Sequence, residues 1–128
     1  MLRAAAFATL SGFAALAGAG PASSAECVIY RHSVAFGAEQ EVQMMVSSGK
    51  DCRVQFPLRT QTVIDVNEIT AHPHYGGVRV HGTSGAYYRS NPGYRGPDQF
   101  AFAFCGQDTG KNAGKTACAR VRVRVEVR

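Results

Sequence analysis

Three of the four histidines fall close together, at His72, His74 and His81. On an extended chain a His-x-His step puts both rings on one side. Neutral imidazoles so placed could bind copper or zinc, with Met45 as a soft thioether ligand. The spacing supplies no fixed third ligand, however. The plainer expectation is that His72 and His74 are solvated loop residues flanking Pro73, and that the protein carries no metal and no cofactor. A copper- or zinc-binding protein using these surface histidines is the alternative.

The other chemistry-bearing residues point away from catalysis. Cys27, Cys52, Cys105 and Cys118 form no C-x-x-C motif, and an even count in an exported domain reads as two disulfides rather than a nucleophile. Ser84 stands in a Gly-Thr-Ser-Gly turn with no helix after it, unlike a nucleophile elbow. Asp65 and Glu68 are close, but the acidic residues as a whole are spread along the chain. No glycine-rich phosphate loop is present. The expectation is a protein that is not an enzyme. Arg120, Arg122 and Arg124, with Arg128 beyond them, form an outward stripe. Its plain reading is protection of an exposed edge strand, and its functional reading is contact with an anionic surface.

These residues need elements to position them, and the sequence supplies strands. Phe100, Phe102 and Phe104 recur with period two, placing three rings on one face. Val121, Val123, Val125 and Val127 do the same and send the arginines outward. Further extended stretches are expected over residues 27–36, 40–46, 52–58, 60–70, 78–81 and 86–89, without clean alternation over 60–70. Pro57 marks an edge or an early end. Hairpin-type turn chemistry lies at 47–51, turns at 82–85, 91–93 and 96–98, and a polar loop at 106–115. No stretch carries a helical period. Seven to eight short strands separated by turn signals define an antiparallel β-sandwich.

Strand phase also bears on the cysteines. Four cysteines allow three pairings. Cys105 falls opposite the phenylalanine face, and Cys118 falls on the arginine face of what should be the same hairpin. A cross-strand Cys105–Cys118 bridge is the natural pairing. Cys27 and Cys52 remain, each in phase with core residues, and a bridge between them would pin the first strand to the third.

The chain has 128 residues and a formal net charge of +5. Residues 1–25 read as a cleaved signal peptide: Arg3, an apolar small-residue run over 4–19, and small residues before the cleavage point after Ala25. Residues 26–128 then form one domain. The apolar leader is too short and too interrupted to span a bilayer, and no later segment is long enough. The mature protein is expected to be periplasmic or secreted and monomeric, with no transmembrane segment and no nucleic-acid partner. Its moderately basic balance is compatible with an anionic polymer.

Pro73-His-Tyr-Gly-Gly-Val78 and Tyr88-Arg-Ser-Asn-Pro-Gly-Tyr-Arg-Gly-Pro-Asp98-Gln-Phe-Ala-Phe102 resemble the bacterial cadherin-like or immunoglobulin-like repeat. That family's pattern is P-x-x-G-x-V, then Y-x-P-x-x-G-F-x-G-x-D-x-F-x-Y and an alternating valine strand. The likeness covers about residues 64–127. Ser90 stands where the family usually has proline, the cysteines are not in its pattern, and its calcium-binding acidic runs are absent. The resemblance implies an immunoglobulin-like β-sandwich with a structural or binding role in the cell envelope. The partner would be an unknown envelope protein or an anionic polymer.

Overall fold

The row of phenylalanines sits at the centre of a β-sandwich. In the computed structural model, residues 26–30, 37–58, 62–108 and 115–128 are described, and all their regular elements are strands. In chain order these are β1 (Cys27–Tyr30), β2 (Glu39–Val46), β3 (Asp51–Gln55), β4 (Thr62–Ala71), β5 (Gly76–His81), β6 (Gly85–Ser90), β7 (Gly96–Asp108) and β8 (Thr116–Val127). The segments 1–25, 31–36, 59–61 and 109–114 lie outside the described residues, and with them the leader and parts of the expected first strand and polar loop.

One sheet has the order β1-β2-β8-β7-β4 and the other β3-β6-β5. Strand alternation then builds the core. Val42, Met44 and Val46 of β2 join Val121, Val123, Val125 and Val127 of β8 and Phe100, Phe102 and Phe104 of β7 on the inner face of the larger sheet. Cys52, Val54, Ala86 and Tyr88 meet them from the smaller sheet. Phe56, just after β3, places its ring 6.2 Å from Phe102 and 6.1 Å from Phe104. Tyr88 stacks on Phe100 at 5.7 Å. Burying each such ring is worth ~1.5–3 kcal/mol.

Both disulfides pair as strand phase indicates. Cys105 and Cys118 are direct cross-strand partners between β7 and β8. Cys27–Cys52 joins β1 of one sheet to β3 of the other, closing one side of the sandwich covalently. On the opposite side, Asn67 of β4 donates to Gly82 O at 3.1 Å and Gly85 O at 3.0 Å, tying the larger sheet to the β5–β6 turn.

Three expectations need correction. Residues 47–51 do not close a hairpin, because β2 and β3 lie in different sheets. The turn carries the chain from one layer to the other, with Gly49 in the left-handed region. The sandwich is not wholly antiparallel: β2 runs parallel to β8, from Glu39 beside Arg120 to Val46 beside Val127. β7 is longer than the aromatic core alone, beginning at Gly96 and continuing to Asp108. As expected, β4 lacks clean alternation, because its pairing with β7 shifts between Ile64 and Val66 and again between Ile69 and Ala71. Each bulge flips the inward–outward phase of the residues beyond it. Opposite the first, a Cβ on Gly106 would lie 2.1 Å from Val63 O, so the close approach there requires glycine.

Candidate functional site

Asp98 is a heavily engaged polar side chain, and its role is architectural. It lies near the start of β7 with 8% of its surface exposed. Its Oδ1 accepts from the backbone N–H of His74 at 3.0 Å and of Gln99 at 2.9 Å. Its Oδ2 accepts from the N–H of Tyr75 at 3.1 Å and from the Tyr88 hydroxyl at 2.8 Å. The carboxylate thus clamps the β4–β5 connection and β6 onto β7. Burial, and then the bond to Asp98, push the Tyr88 phenol well above its ordinary range. Beside this clamp Tyr75 stacks on Tyr94 at 4.3 Å, and the Tyr94 hydroxyl donates to Pro97 O.

Two buried serines are also structural. Ser84 donates to Phe56 O at 2.7 Å. Ser90, where the family pattern has proline, accepts from Gly49 N–H at 2.9 Å and so anchors the turn between sheets.

The histidines do not converge. His72 and His74 come after β4, whereas His81 ends β5. The five steps of β5 alone span ~16 Å at the usual strand rise. Met45 belongs to the other sheet. Among the described residues no group of three His, Cys, Asp or Glu side chains could hold a metal ion.

The arginine stripe does lie on the outer face of β8, but its reading as edge protection is overturned. β8 is the middle strand of five. Its parallel neighbour β2 supplies carboxylates that reach diagonally, two residues along the register: Arg122 pairs with Glu39 at 2.9 Å and Arg124 with Glu41 at 2.8 Å. Glu126 comes next on the same face. The stripe is therefore largely neutralised, which removes it as the leading anion contact.

The unbalanced positive surface is on the smaller sheet, a place that no run of charge in the sequence marks. On its outer face Arg53 of β3, Tyr87 of β6 and Arg79 of β5 are in register, with Asp51 and Arg89 one level away and His81 on the other side. Arg79 lies over the Tyr87 ring at 4.6 Å from its centroid, and His81 meets the ring edge-on at 4.7 Å. Asp51 holds Arg89 at 2.9 Å and Arg79 at 3.9 Å. Arg53 Nη1 lies 3.4 Å from His81 Nε2, across β6. One carboxylate thus faces three guanidiniums. The signal was present in the alternation of Asp51-x-Arg53, Arg79-x-His81 and Tyr87-x-Arg89, but only the strand order puts these residues together.

A shallow concavity of about 430 Å³ lies on the larger sheet's outer face, lined by Tyr30, Gln43, Met45, Gln99 and Arg124 among others. Among the described residues no helix is long and apolar enough to cross a membrane. The two disulfides are those of a protein that matures outside a reducing cytosol. Comparison with protein-family models, curated proteins and solved structures finds no match to the chain.

Proposed function

We propose that the chain is an exported, non-catalytic β-sandwich of immunoglobulin-like type, with a binding or structural role in the cell envelope. The observation that carries this reading is the strand order. β3-β6-β5 corresponds to the B-E-D order of an immunoglobulin sheet, and β4-β7-β8 to its C-F-G order. β2 takes the place of the first strand, moved beside the last.

The motif residues 73–78 and 88–102 support the same reading through their structural roles. Tyr88 and Phe100 stack in the core, and Asp98 clamps the end of the sandwich. The side chains that could do chemistry are committed elsewhere: the cysteines to disulfides, Ser84 and Ser90 to backbone bonds, and the histidines to separate places. The protein acts in the periplasm or outside the cell, and its partner is an envelope protein or an anionic polymer rather than nucleic acid.

The test is an intact mass spectrum, without reductant, of the protein recovered from its own cells after osmotic release. The expected species begins at Glu26 and is four hydrogens light, from two disulfides. A chain still beginning at Met1 and carrying free thiols in the cytosolic fraction would overturn the proposal.

A further inference from the structure

The outer face of β3-β6-β5 combines excess positive charge, neutral hydrogen-bonding groups and almost no apolar surface. Arg79 and Arg89 share the carboxylate of Asp51, while Arg53 lies against the His81 ring, so three guanidiniums stand beside one acid. Arg79 and Arg89 side chains remain 65% and 60% exposed in those pairs, so their guanidinium donors are open to solvent on this face. A guanidinium has five N–H donors in a fork that matches a carboxylate or sulfate. One ion pair leaves most of them unused.

We propose that this face binds a linear acidic polysaccharide. The inference rests on the reading of the chain as an exported binding module and names the ligand class for it. Arg53 and Arg79 lie on strands separated by β6, so their backbones are about 9.6 Å apart, two strand spacings. A chain that carries an acid on successive sugar units can satisfy both. Between them stand the Tyr87 hydroxyl, the His81 ring and, one level away, the Gln55 amide. These are groups that hydrogen-bond sugar hydroxyls.

The same face lacks what other partners need. Apart from Tyr87, no outward position of the three strands carries an apolar side chain. An anionic membrane surface would have no apolar anchor to bury, and a protein partner would find no apolar interface core. On the larger sheet, Glu39 and Glu41 offset Arg122 and Arg124, so attraction of a polyanion favours the smaller sheet.

The experiment measures binding of the mature, oxidised protein to a polygalacturonate oligosaccharide by calorimetry, with its methyl ester as the uncharged control. Binding is expected to the free acid and not to the ester, weakening with added salt. The Arg53→Gln/Arg79→Gln pair should weaken it by roughly tenfold or more. The Arg122→Gln/Arg124→Gln pair should leave it within about twofold, because those side chains already hold carboxylates. Thermal melts of each variant show that it is folded. The proposal is overturned if the oligosaccharide does not bind, if the Arg122/Arg124 pair is the one that matters, or if polyglutamate or anionic lipid vesicles bind as tightly. The mass spectrum of the same preparation separates the two readings. An oxidised, processed protein that ignores the glycan overturns only this inference, whereas a reduced, unprocessed protein overturns the exported-module reading itself.

Discussion

Asp98→Asn asks whether one carboxylate holds the end of the sandwich. Four donors converge on it, two on each oxygen. Asparagine is nearly the same size, so no cavity forms and the effect reports on bonding alone. If the new amide nitrogen replaces Oδ2, the Tyr88 hydroxyl can rotate to accept from it. The Tyr75 N–H then faces another donor. One orphaned buried N–H costs ~1–3 kcal/mol, and the two bonds on the remaining oxygen lose their charge assistance. If the nitrogen replaces Oδ1 instead, the His74 and Gln99 N–H groups are both orphaned and the cost is higher. The expected destabilisation is therefore about 2–4 kcal/mol, a large share of the ~5–15 kcal/mol that holds a typical domain.

The assay is equilibrium urea unfolding of the oxidised protein, together with amide hydrogen exchange. Asp98→Ala should cost more than Asp98→Asn, since all four donors then lose their acceptor. The loss of exchange protection should appear first at the His74 and Tyr75 amides, which otherwise bond the carboxylate. If Asp98→Asn stays within about 0.5 kcal/mol of the parent, the scale of an ordinary surface change, the clamp does not hold the fold and the reasoning fails.

Other outcomes rest on the same geometry. Tyr88 keeps its proton in the folded state beyond the ordinary 10.0. The unfolded chain loses that proton first, so this contribution is complete below about pH 10 and declines as pH rises further. Tyr88→Phe should flatten the alkaline fall in melting temperature, and an equally steep fall in the variant would contradict it. Removing Cys105–Cys118 as a serine pair should cost ~3 kcal/mol by the loop-closure model, and removing Cys27–Cys52, which closes a longer loop, slightly more. Gly106→Ala should lower stability by ~2 kcal/mol or more, because its Cβ meets backbone rather than a movable side chain; a neutral result in the same urea titration would refute the close approach to Val63. Arg122→Ala should change unfolding free energy by less than about 1 kcal/mol, as expected for an exposed pair.

Much of the fold was legible because a strand with one buried face writes its own period. The valines of β8 and the phenylalanines of β7 announced their inner faces, and the same phase located Cys105 and Cys118 as partners. What escaped depends on pairing between distant strands. The turn at 47–51 has the chemistry of a hairpin, and nothing local says that β3 will join the other sheet. The two bulges of β4, where Asp65 and Thr70 are extra residues against β7, erase its alternation, and they show only once the two strands are paired.

The candidate site shows why that distinction matters for function. Alternation told correctly that Arg120, Arg122 and Arg124 point outward, but not that β2 would run parallel to β8 and bring Glu39 and Glu41 beside them. Arg53, Arg79 and Arg89 also point outward, each in a short strand with no charge run of its own. Only the order β3-β6-β5 gathers those three on one face around Tyr87 with a single carboxylate among them. A stripe of like charges in sequence is thus a poor guide to a charged surface. The deciding factor is how much opposite charge the neighbouring strand contributes: β2 sets Glu39 and Glu41 against the long stripe, whereas β3 sets the one carboxylate of Asp51 against the scattered arginines.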